Sequence, residues 1–245
     1  MQTVTYDQPL TAEHLASAQA AGSDRRRQLT RALLAGSLLA GPVYILVGAL
    51  QIAIRPGFDI TRHDLSLLSN GPLGWIQITN FLVTGLLTIV GALGMRRALA
   101  AVGGRGRTWG PLLLGLYGLG LIGAGIFVAD PMNGFPPGAA TAAAGTMSGH
   151  GLLHLVSGSL GFLGLIAASF VFARRFAAQG RRAWAAYSVA TGVLFFAAFV
   201  GIAAGSQQAG ATLTVVTLAF YVAVALGWAW VSAISARLAV ELRSE

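Results

Sequence analysis

His150 and His154 stand four residues apart at the head of an apolar run, a spacing that puts both imidazoles on one face of a helix. Two neutral imidazoles so placed can hold a divalent ion, and a third ligand from His63, Asp64 or Asp130 would leave one coordination position for water. Zinc is the ion this set suits, and zinc-bound water is a nucleophile near neutral pH. The chemistry within reach is therefore hydrolysis, with Asp64 or Asp130 as ligand or general base. No glutamate lies between the two histidines. The same side chains are equally suited to hydrogen-bonding loop carbonyls and Asp130, so the structural reading stays open beside the metal one.

Ser66 lies two residues after Asp64 and three after His63, close enough for a local nucleophile and base, although such spacing in a polar loop is also that of turn and capping residues. No histidine follows His154, which leaves serines in the later part of the chain without an imidazole base on their own side of the sequence. Arg55 and Arg62 flank Asp59 in the same loop and could hold a charged head group. Gln77, Asn80 and Asn133 add uncharged ligand-binding candidates nearby.

These residues must be positioned by membrane helices. The chain is 55% hydrophobic and 10% charged with a mean hydropathy of +0.70, against roughly 25% charged residues in soluble domains. About 20 apolar residues cross a hydrocarbon core, and six such spans are legible, at about 32–54, 73–95, 109–128, 151–173, 183–204 and 211–236. Pro42 falls inside the first, where neighbouring helices can satisfy the freed carbonyl. All sixteen basic residues are arginine, and fourteen of them fall on one side of this arrangement. By the positive-inside rule that side is cytoplasmic, which places both termini inside and loops 55–72, 129–149 and 205–210 outside. Residues 1–31 then read as a flexible polar tail, 32–236 as one membrane domain and 237–245 as a short tail.

Several functions are disfavoured. The net charge of +8 comes from arginines that punctuate apolar runs and do not line a face, so nucleic acid is not an expected partner. The absence of cysteine removes disulfides and thiolate chemistry. No Asp, Glu or Arg falls in the middle of a span, which argues against a carboxylate proton relay or a voltage sensor.

The segments Asp64-Leu-Ser66, Asn70-Gly-Pro-Leu-Gly-Trp75, Gly125-Ile-Phe-Val-Ala-Asp130-Pro-Met-Asn-Gly134 and His150-Gly-Leu-Leu-His154 resemble the bacterial and archaeal six-helix membrane family catalogued as domain-of-unknown-function family 998. The resemblance covers about residues 30–238 and falls on Asp64, Ser66, Asp130, Gly134, Gly151 and His154. It implies a six-span protein of a bacterial plasma membrane and carries no activity with it. The inventory of His, Asp and Ser is also similar to that of seven-helix ceramidase-like hydrolases, which build a zinc site near a membrane face.

The expectation is an all-α bundle of six transmembrane helices whose outward-facing polar pocket binds a membrane lipid or other amphipathic ligand. A zinc-dependent hydrolase of a lipid or amide is the alternative. A small-solute transporter is the third reading, though no internal repeat or pair of broken helices marks one.

Overall fold

Backbone that meets no water must satisfy its own hydrogen bonds, and each apolar run does so as an α-helix. The computed structural model describes residues 12–139 and 146–242. In it α1 spans Ala12–Ile54, α2 Gly74–Val102, α3 Trp109–Ile126, α4 Gly149–Ala178, α5 Arg182–Gly205 and α6 Gly210–Glu241. All six are long and apolar enough to cross a membrane, and among the described residues there is no strand. A short 3-10 turn, Leu65–Ser69, lies between α1 and α2.

The helices run further than the expected spans. Residues 12–31, expected to be a flexible tail, are helical and continuous with the first span, while residues 1–11 lie outside the described residues. The segment is rich in Ala, Gln, Leu and Arg and has no proline, so nothing in it stops a helix. α2 likewise continues past Arg96 and Arg97 until Gly103, whose φ of 72° ends it. Arginine is a good helix former. It marks where the apolar run ends and not where the helix ends.

Each helix packs chiefly on its chain neighbours and α6 closes back on α1, so the six form a ring, with α2 reaching α6 across it. Close approach is built on glycine. A Cβ at Gly91 of α2 would lie 1.8 Å from Ser37 Oγ of α1, and one at Gly120 of α3 would lie 2.6 Å from the Cα of Gly161 of α4.

The middle of the ring and its arginine-rich end are filled by large side chains, among them Phe172, Phe176, Phe195, Trp228 and Trp230, all nearly inaccessible. Trp230 donates Nε1–H to Ser188 Oγ at 3.0 Å. At the same end Arg175 donates to the carbonyls of Gly103 and Arg105, and Arg181 and Arg237 both pair with Glu241. The opposite end, here the capped end, has its own small core of Leu67, Leu68 and Phe135, which joins the α1–α2 and α3–α4 connections.

The seams predict opposite responses to one added methyl. Gly91→Ala should lower stability by about 1–3 kcal/mol through overpacking. Gly115→Ala, where a Cβ meets nothing within 4 Å, should lose none. Thermal unfolding of the two variants in one detergent checks this.

Candidate functional site

The cap is assembled around Arg55. It follows the last turn of α1, is only 7% exposed, and its guanidinium donates to the carbonyls of Leu68, at 2.9 Å, and of Asn70. It also lies over the Phe135 ring, 5.2 Å from the centroid. A planar fork of donors can meet two carbonyls while stacking on an aromatic face, which an ammonium cannot do. Burial without a carboxylate partner pulls this guanidinium below its ordinary pKa. Arg55 therefore acts within the protein and does not line the cavity described below. Arg62 is exposed and does not line it either.

His63 is 2% exposed and uses both ring nitrogens. Nδ1 accepts from the Asp59 N–H at 2.9 Å, and Nε2 donates to the Asn133 carbonyl at 3.0 Å. This fixes the neutral Nε2–H tautomer, because a carbonyl can only accept. Asn133, in the left-handed region at φ 54°, returns a bond from its side-chain amide to the Arg62 carbonyl at 3.0 Å. From α6, Tyr221 donates its hydroxyl to the His63 carbonyl at 2.9 Å. The two long connections are thus tied to each other and to the last helix.

The carboxylates act first as caps. Asp64 caps the 3-10 turn, with Oδ1 accepting from the Ser66 N–H at 2.9 Å and from the Ser66 hydroxyl. Asp130 accepts from the Ser148 N–H at 2.8 Å and from its hydroxyl at 2.5 Å, and Ser148 Oγ in turn accepts from the Gly151 N–H at the start of α4. A Cβ at Gly151 would lie 2.2 Å from Asp130 Oδ2, so this approach requires glycine.

The structure does not bring the three histidines together. His150 is exposed, with its ring 5.9 Å from that of Phe127. His154 donates Nδ1–H to the carbonyls of Phe127, at 2.7 Å, and Ala124, at 3.0 Å. Among the described residues no three His, Asp or Glu side chains are gathered as metal ligands would be. With both nitrogens of His63 engaged by backbone, the expected zinc set does not fit this arrangement.

What the structure does assemble is a cavity of about 1000 Å³ inside the ring, at the capped end. Asp64, Ser66, Asp130, Asn133, His154 and Gln207 contribute to its walls near the cap, while Tyr44, Phe81, Tyr117, Phe162, Phe199, Phe220 and Val224 line it further in. Tyr44 and Tyr117 in turn pack on the buried Trp228, whose ring centroid is 5.2 Å from each of theirs. Gly158 of α4 lines the cavity with nothing within 4 Å of its Cβ position.

Of the expected site residues, Asp64, Ser66, Asp130, Asn133 and His154 share this cavity. Gln77 and Asn80 do not line it. They are buried in the α1–α2 seam, where Gln77 Oε1 accepts from Gln51 at 2.8 Å and from Asn80 at 3.3 Å, and Asn80 also donates to the Tyr44 carbonyl. Sequence reasoning missed Tyr44, Tyr117, Tyr221 and Gly158. The signal available for the tyrosines was a phenol inside an otherwise apolar span, a polar tip that needs a polar neighbour.

Two predictions follow from the cap. Arg55→Ala leaves the Leu68 and Asn70 carbonyls without their buried donor, at a loss of at least about 2 kcal/mol, and Arg55→Lys should recover little of it; unfolding in detergent measures both. The Thr61 hydroxyl and N–H hold the exposed Asp59 carboxyl below its ordinary range. A lowered folded value means that this support is present above about pH 3.9 and is lost as pH falls through the folded pKa. Carbon-detected NMR titration should find Asp59 below that ordinary value, and Thr61→Val should move it upward.

Comparison with known proteins agrees with this architecture. The model of the family described as Protein of unknown function (DUF998) matches residues 38–237. No curated protein and no solved structure matches the chain. The matched segment begins within α1, covers α2 to α5 in full and most of α6, and includes the whole cap and every helix that walls the cavity, so the chain belongs to the DUF998 family.

Proposed function

We propose that this multi-pass membrane protein binds one amphipathic molecule, a lipid or a lipid-like ligand, in the cavity at its capped end. The observation that carries the reading is the cavity's shape and polarity: polar groups gather near the cap and aromatic and aliphatic side chains line the depth. Its volume of about 1000 Å³ lies at the upper end of the roughly 300–1000 Å³ range of small-molecule sites. Tyr44 lies ten residues before the end of α1 at Ile54, which places the floor about 15 Å below the end of that helix. That is about half of a hydrocarbon core, so a chain lying in the cavity would match one leaflet in depth.

The bilayer is the source the surface favours. Leu155 of α4 is 48% exposed and also lines the cavity, and Ala203 of α5 is likewise exposed and lining. A chain entering from the side would do so past these two apolar residues. With the arginine-rich end read as cytoplasmic by the positive-inside rule, the capped end would face outward and the ligand would come from the outer leaflet of a plasma membrane.

Gly158→Phe fills the cavity from a position with open space and should not disturb the ring. Native mass spectrometry of protein purified from membranes should show one retained amphiphile per wild-type chain and none on Gly158→Phe of equal thermal stability. Equal retention by both, or none by the wild type, contradicts the proposal.

A further inference from the structure

The cavity wall carries carboxylates and no arginine. Its charged side chains are Asp64 and Asp130. Asp130 has both oxygens engaged by Ser148. Asp64 engages only Oδ1, and its Oδ2 accepts nothing from the described residues. His154 spends its Nδ1–H on two carbonyls and its Nε2 has no partner among the described residues, so a neutral ring would offer that nitrogen as an acceptor. The arginines at this end are held off, Arg55 by the Leu68 and Asn70 carbonyls and the face of Phe135, and Arg62 by its place outside the lining.

A second observation points to a ligand independently of the carboxylates. Tyr117 is 2% exposed and lines the cavity, and its hydroxyl has no hydrogen bond to a described residue. A phenol tip so placed is left to be met from the cavity, by a polar group of whatever fills it.

Resting on the reading of the cavity as an amphiphile site, we propose that the ligand's head is donor-rich and positively charged, a primary ammonium in its simplest form, and that Asp64 Oδ2 and His154 Nε2 receive it. An ammonium brings three donors and no acceptor, which suits the free oxygen of Asp64, and its bond to a carboxylate is charge-assisted. An anionic head would face Asp64 with no arginine to offset the repulsion, so the cavity discriminates by rejection as well as by attraction.

The test uses the full chain in phosphatidylcholine nanodiscs and two labelled probes of equal length, dodecylammonium and dodecanoate. Nanodiscs carrying Gly158→Phe report partition into the bilayer and are subtracted. The saturable component should favour the ammonium by about tenfold or more in Kd, a difference of about 1.4 kcal/mol. Asp64→Asn keeps an oxygen to cap the 3-10 turn and should bring the ratio close to one. Equal affinities, or tighter dodecanoate, in the wild type overturn the head-group assignment while leaving the cavity reading standing. A preference that survives Asp64→Asn overturns the role of Asp64. The absence of any saturable component for either probe overturns the cavity reading itself. The wild-type ratio decides the head-group question even if Asp64→Asn does not fold.

Discussion

Six helices in a ring cannot all meet at its centre, and the rest of the structure follows from how that space is used. With neighbouring axes about 8–10 Å apart, helices on opposite sides of the ring are separated by a gap that backbone contact does not close, apart from the approach of α2 to α6. Half of it is filled by Phe172, Phe176, Phe195, Trp228 and Trp230. The other half is not, and the Tyr44, Tyr117 and Trp228 rings mark the boundary. Glycine seams such as Gly91 on Ser37 and Gly120 on Gly161 draw the helices together, so the hollow is confined to the ring's interior.

The cap is the second consequence. A hollow end needs a cover whose polar backbone is satisfied, and Arg55, His63, Asn133 and Tyr221 supply it by bonding carbonyls from distant parts of the chain. Phe135 fits under this network against Leu67 and Leu68. The carboxylates that sequence reasoning set aside for catalysis hold the starts of elements at the same surface, Asp64 as the cap of the 3-10 turn and Asp130 through Ser148, the N-cap of α4. Asp64 alone among them keeps an oxygen for something else.

Local patterns made the six helices legible, because hydrophobic runs about 20 residues long have few alternatives. The helix ends were less so: arginine continues a helix, and α1 and α2 overran the spans it was used to bound. Ser66 was paired in sequence with His63, three residues before it, whereas in the fold it bonds Asp64. The burial of Arg55 was not legible, since it depends on Phe135, eighty residues away, and the tie from Tyr221 to His63 crosses 158 residues. The separation of His150 from His154 shows the same limit. Four-residue spacing put them on neighbouring turns, but His154 turned to the end of α3 while His150 stayed exposed.

The helix ring leaves one half of its interior open beneath a cross-braced cap, and that hollow is the proposed amphiphile site. An experimental structure of the chain in lipid nanodiscs tests this most directly. The account predicts elongated density inside the ring, from Asp64 and Asn133 down to the Tyr117 and Phe162 rings. A ring whose capped half is closed by its own side chains, with no continuous space between those residues, would contradict it.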